Sequence, residues 1–170
     1  MCPSCNEEEE TCRHVLCCDE DGRVNALNCT INLLDIWLRT VGTDGPLRIY
    51  LIEYAQKRGG VSMEHIVWGK GPRFYKLGQL MNKIGWRRYM EGMVSLEAMA
   101  IQSDCVALGG CKISLDNWTK GLATKLLEVT HGQWLYRNML VHDIVSGLKA
   151  AERKEELQMA IETLYGTLCL

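Results

Sequence analysis

Phenylalanine occurs once in this 170-residue chain and proline three times. β-Branched residues do not alternate with polar ones anywhere along it. Strand-building patterns are therefore scarce, and a sheet-based core is not expected. No uncharged apolar run approaches the roughly 18 residues that a membrane-spanning helix needs, so the reading is of a protein with no membrane partner. No secretory leader pattern precedes the first cysteines. Four of the nine cysteines (Cys29, Cys105, Cys111 and Cys169) are scattered through apolar stretches. Buried thiols acting as small hydrophobes fit a reducing intracellular compartment, nucleus or cytoplasm. The G-x4-G-K-[ST] phosphate loop is missing, although Gly69-Lys-Gly-Pro72 is glycine-rich and carries a lysine.

The other five cysteines fall before residue 19, together with one of only four histidines. Cys2, Cys5, His14 and Cys18 have the spacing C-x2-C-x8-H-x3-C. One tight turn can bring the first two thiolates to one ion, and one helical turn can supply the His and the last Cys. A closed Cys3His tetrahedron of this kind suits structural Zn2+. A redox C-x-x-C pair is the rival, but no strand–helix pattern surrounds it. Cys12 and Cys17 lie within reach, and Cys17 competes with Cys18 for the fourth position. Cys18 is preferred because three intervening residues let His14 and Cys18 share a helical face. A ligand at residue 2 suggests the C-terminal piece of something longer.

Charge is unevenly placed. Residues 1–22 hold seven acids and one arginine, a net of −6, whereas residues 48–88 hold nine Lys or Arg and two Glu, a net of +7. The acidic segment is a poor phosphate binder. The basic middle, with Lys70, Arg73, Lys76, Arg87 and Arg88, is the better nucleic-acid candidate.

Apolar spacing of three and four predicts an all-α fold: a helical bundle at 23–170, preceded by the zinc module at 1–22. Asp19 to Gly22 reads as a polar turn. Asn25 is the expected cap of a helix carrying Leu27, Ile31, Leu34, Trp37 and Leu38, ending near Gly42. Pro46 marks the next start and Gly59-Gly60 its end. Residues 60–73 read as an exposed loop. Short helices follow over 74–95, broken at Gly85, then a helix over 95–107 and a break at Gly109-Gly110. Ser114 opens the longest pattern, which runs to about His142, and a last amphipathic helix covers 147–165.

On that long helix Trp134, Asn138 and His142 are four apart, with Arg137 beside them. The residues read as a buried hydrogen-bond network that fixes packing. A catalytic pairing of Cys105 or Cys111 with His142 has no support in the spacing, and the chain is expected not to be an enzyme.

The opening run Cys2-Pro-Ser-Cys-Asn-Glu-Glu-Glu-Glu-Thr-Cys-Arg-His-Val-Leu-Cys-Cys18 resembles the zinc-binding segment behind the reverse transcriptase domains of non-LTR-type retroelement proteins. Ile84-Gly-Trp-Arg-Arg-Tyr-Met-Glu-Gly and Gln133-Trp-Leu-Tyr-Arg-Asn-Met-Leu-Val-His resemble stretches of the helical tail in related reading frames of algae and other protists. The resemblance implies Cys2, Cys5, His14 and Cys18 as ligands. It further implies a non-catalytic accessory domain associated with nucleic acid, since no Tyr/Phe-x-Asp-Asp polymerase signature is present. The alternative is a helical protein–protein interaction module or a domesticated remnant.

Overall fold

The computed structural model describes residues 1–144 and 154–159, and among these it is all-α with no strand. Over residues 1–144 the helices follow one another as α1 (Cys12–Cys17), α2 (Asp21–Val41), α3 (Gly45–Gln56), α4 (Met63–Ile66), α5 (Pro72–Ile84), α6 (Trp86–Met90), α7 (Leu96–Ala107) and α8 (Leu115–Ile144). Residues 154–159 are also helical. They fall inside the helix expected over 147–165, the rest of which lies outside the described residues. No described helix is long and apolar enough to cross a membrane.

Local chemistry sets the boundaries. Asp44 accepts from the Leu47 amide at 3.0 Å and Pro46 sits in the first turn of α3. Ser62 and Ser95 cap α4 and α7 in the same manner, each satisfying an amide that the helix itself leaves unpaired. Gly85, at φ +81°, separates α5 from α6, a backbone conformation that side chains resist. Two expectations need correction. Helix α2 begins at Asp21 and not at Asn25, because the Glu20 carboxylate accepts from the amides of both Gly22 and Arg23 at 3.0 Å. The loop expected over 60–73 contains α4, whose Met63 and Ile66 are buried.

The chain divides into two compact units, residues 1–30 with 129–170, and residues 31–128. The segment 1–22 lies wholly in the first. In the second unit Ile31, Leu34 and Leu38 of α2, Leu47 and Leu51 of α3, Leu77 and Met81 of α5, and Trp118, Leu122 and Leu126 of α8 are all buried. Trp118, Tyr89 and Gln102 have their buried polar atoms paired. Trp118 Nε1 donates to Thr43 Oγ1 at 2.9 Å and Tyr89 Oη to the Leu51 carbonyl at 3.1 Å. Gln102 accepts from the Asp44 amide at 3.0 Å and donates to the Gly42 carbonyl at 3.4 Å.

Helix α8 passes through Gly132 without a break. At Gly121 it lies against the Trp37 ring, where a Cβ would come within 2.3 Å of the indole. Gly→Ala inside a helix ordinarily stabilises by about 1 kcal/mol. Here overpacking reverses the sign. Gly121→Ala is expected to destabilise by about 1–3 kcal/mol in urea titration; a gain in stability would refute the close approach.

Candidate metal centre

The first five residues form a knuckle. The Asn6 amide donates to the Cys2 carbonyl at 2.9 Å and the Cys2 amide to the Glu8 carbonyl at 2.7 Å. Asn6 takes φ 57°, a left-handed geometry that asparagine tolerates better than most residues. Thr11 then caps α1, its hydroxyl accepting from the His14 amide at 3.1 Å. The six-residue helix holds His14 over the knuckle. Cys18 is its C-cap, with an extended backbone and its amide donating to the His14 carbonyl at 2.7 Å.

The outcome is one cluster. The ligand atoms of Cys2, Cys5, His14 and Cys18 all lie within 4.8 Å of one another. Cys2 Sγ and Cys18 Sγ are 3.9 Å apart, and Cys5 Sγ is 3.4 Å from His14 Nε2. With Zn–S bonds near 2.3 Å, a tetrahedron has edges of about 3.8 Å, so the donor set fits a four-coordinate Zn2+. Cys2 and Cys18 are buried. Cys12 is exposed, and neither Cys12 nor Cys17 belongs to the cluster. The geometry places Cys18, and not Cys17, in the cluster.

The surroundings suit thiolates at Cys2 and Cys5. Burial acts to raise the Cys2 thiol, but backbone amides of Cys5 and Ser4 donate to its sulfur and, with the Cys5 and His14 side chains, bring it down to about 6. Amides of Glu7 and Glu8 likewise lower Cys5. Burial pushes Cys18 up to about 11, against the Glu20 amide, and Cys2 and Cys5 add to the rise. Without a cation, the crowded sulfurs cannot all ionise. Burial opposes protonation of His14, yet the neighbouring thiols and Glu8 raise it on balance.

Glu8 is a partner that the sequence reading missed. Its Oε2 lies 2.8 Å from His14 Nδ1, leaving Nε2 toward the sulfurs. A carboxylate on the far nitrogen fixes the tautomer and orientation of a metal-bound imidazole. The four consecutive glutamates disguised it as one more surface charge.

Arg23 was missed too. Its side chain is 1% exposed. Nε donates to Ser4 Oγ within the knuckle, Nη1 donates to the Val15 carbonyl of α1 at 3.1 Å, and Nη2 lies 3.8 Å from Glu10. Gln133 of α8, also buried, donates to the Arg23 carbonyl at 3.4 Å. A second arginine, Arg137, grips Glu10 with two bonds, at 2.9 and 2.6 Å. That grip, with burial opposing it, holds the Glu10 carboxyl below its ordinary range.

The face expected at Trp134, Asn138 and His142 is corrected accordingly. Trp134 is 53% exposed and stacks on His131, ring centroids 5.9 Å apart. Asn138 and His142 are half-buried. The inward stripe runs Leu126, Val129, Gln133 and not through Trp134. Of the expected network, Arg137 and Asn138 are joined, at 3.2 Å.

The five basic candidates are exposed, all in the second unit. Arg73 is paired with Asp104, Lys76 with Glu97 at 2.6 Å, and Arg87 with Glu91 at 3.1 Å. Among the described residues, Lys70 and Arg88 have no ion pair.

Comparison with protein-family models, curated proteins and solved structures gives no match. The likeness to retroelement proteins therefore rests on the quoted residues alone.

Two outcomes are expected. Purified protein carries one zinc per chain by elemental analysis; Cys18→Ser loses it, Cys17→Ser keeps it, and Glu8→Gln weakens binding by about tenfold or more. Zinc retained by Cys18→Ser would overturn the ligand set. A double-mutant cycle on Glu10→Gln and Arg137→Met should give a coupling of about 1 kcal/mol at neutral pH, modest because both groups are partly exposed. Glu10 is depressed in the fold, so the coupling is complete above the ordinary glutamate pKa of about 4.3 and disappears as pH falls through the lower folded value. A coupling that persists in acid would contradict an ion pair.

Proposed function

We propose that the chain is a non-catalytic accessory domain ordered by Zn2+ at Cys2, Cys5, His14 and Cys18. The observation that carries the reading is the convergence of three thiols and one imidazole within 4.8 Å, with backbone amides aimed at the sulfurs. Four protein ligands close the coordination sphere. A closed site leaves no position for a reactive water, which favours a structural role over hydrolysis. When bound, the ion supplies cross-linking charge: it lets three thiolates share one place and ties the knuckle to α1.

The resemblance to retroelement zinc segments supports assigning the accessory role to a nucleic-acid-handling protein. In that reading Lys70 and Arg88 are the phosphate contacts, with Arg73, Lys76 and Arg87 recruited from exposed ion pairs. Those pairs are the specific observation favouring a second reading, a helical protein–protein interaction module, because a cation held by a carboxylate is less available to phosphate.

Binding of the zinc-loaded chain to single- and double-stranded RNA and DNA separates the two readings. Nucleic-acid association predicts an affinity that falls steeply with salt and drops at least about tenfold in the Lys70→Glu, Arg88→Glu double variant. No binding at low ionic strength, or binding unchanged in the double variant, leaves the interaction module.

A further inference from the structure

Far along the chain from the metal centre, the second unit carries two more thiols. Cys105 lies near the end of α7 and Cys111 beyond the Gly109–Gly110 turn. Both are half-buried and both are free. They point at consecutive carbonyls at the end of α2: Cys111 Sγ donates to the Val41 oxygen at 3.2 Å, and Cys105 Sγ to the Gly42 oxygen at 3.7 Å. Cys105 Sγ also lies against the backbone just before Cys111, since a Cβ on Gly110 would meet it at 2.9 Å. The Gly110 amide returns to the Cys105 carbonyl at 2.9 Å and closes the turn between them. Two thiols are thus held on consecutive carbonyls, across a short glycine turn.

Neither carbonyl depends on its thiol. Val41 also accepts from the Lys112 amide at 2.8 Å, and Gly42 from Gln102 Nε2 at 3.4 Å. Removing both S–H donors strands no buried acceptor, which is the usual cost of taking a polar group away.

We propose that Cys105 and Cys111 form a dithiol site that takes a hydroperoxide as its substrate and closes to an intramolecular disulfide. The Cys111 thiolate attacks the terminal peroxide oxygen; the O–O bond breaks, and the alkoxide leaves as ROH with the proton from Cys111. The Cys105 sulfur then attacks the Cys111 sulfenic acid. The S–S bond forms, the S–O bond breaks, and hydroxide leaves as water with the Cys105 proton. Two thiols and ROOH give one disulfide, ROH and water. Cys105 is assigned the resolving role, since burial, Asp44 and Cys111 raise its thiol above the ordinary value. The site is independent of the zinc reading.

The sequence makes the test direct. Residues 89–112 contain no Lys or Arg before Lys112, so trypsin releases both cysteines on one peptide. The full-length chain is treated with one equivalent of hydrogen peroxide, alkylated with iodoacetamide and digested without reductant. The expected product is peptide 89–112 lighter by two hydrogens, unalkylated and restored by dithiothreitol, from a chain with unchanged helical circular dichroism. In Cys105→Ser, Cys111 should instead stop at a sulfenic acid that dimedone traps. Alkylation of both cysteines after peroxide, a link from either to another peptide, absence of the dimedone adduct, or a disulfide formed only with loss of helical signal would each overturn the proposal.

Discussion

Three thiols and an imidazole brought within 4.8 Å make an arrangement that is unfavourable by itself and favourable around a divalent cation. Burial removes the water that would solvate a Cys18 thiolate, and Cys2 and Cys5 raise its affinity for a proton further. A Zn2+ ion reverses the sign of both effects, because every donor then faces opposite charge. The first eighteen residues contain one helix of six residues and no packed core of their own beyond Leu16, Cys2 and Cys18. A segment of that size needs a metal or a comparable cross-link to stay folded. In this account, the order of the N-terminal segment depends on the cluster.

Arg23 ties the cluster to the rest of the first unit. Three thiolates around Zn2+ leave a net charge of −1, and a buried guanidinium bonded to the knuckle through Ser4 is of the opposite sign. The same residue reaches α1 through the Val15 carbonyl and approaches Glu10, which Arg137 holds to α8. Charges therefore alternate from the site outward: cluster, Arg23, Glu10, Arg137. A buried cation is costly unless paired, and the alternation is what offsets that cost. It also explains why the helix α2 starts early, since Glu20 must cap the turn that swings Arg23 inward.

The sequence carried the helices and the Cys3His cluster well, for physical reasons. Apolar spacing, serine and aspartate caps and the glycine at 85 are local signals, and α3, α5, α6 and α7 follow them. The ligand spacing is local too. What failed depended on distant partners. Arg23 reads as a surface charge in an acidic turn until Ser4, Val15 and Glu10 surround it. Glu8 reads as one glutamate of four until His14 Nδ1 meets it. Trp134 and His142 look buried by their spacing. The inward stripe of α8 had already been set by Trp118, Leu122, Leu126 and Val129, and continuing it by four residues reaches Gln133. The basic middle reads as free positive charge, and its acids, Asp104 and Glu97, come from a helix outside that span.

X-ray absorption at the zinc edge of the purified chain tests the central claim most directly. The account predicts a single first shell of three sulfurs near 2.3 Å and one nitrogen near 2.1 Å, with the outer-shell scattering of an imidazole ring. A shell dominated by oxygen, a shell without imidazole, or four sulfurs would contradict it.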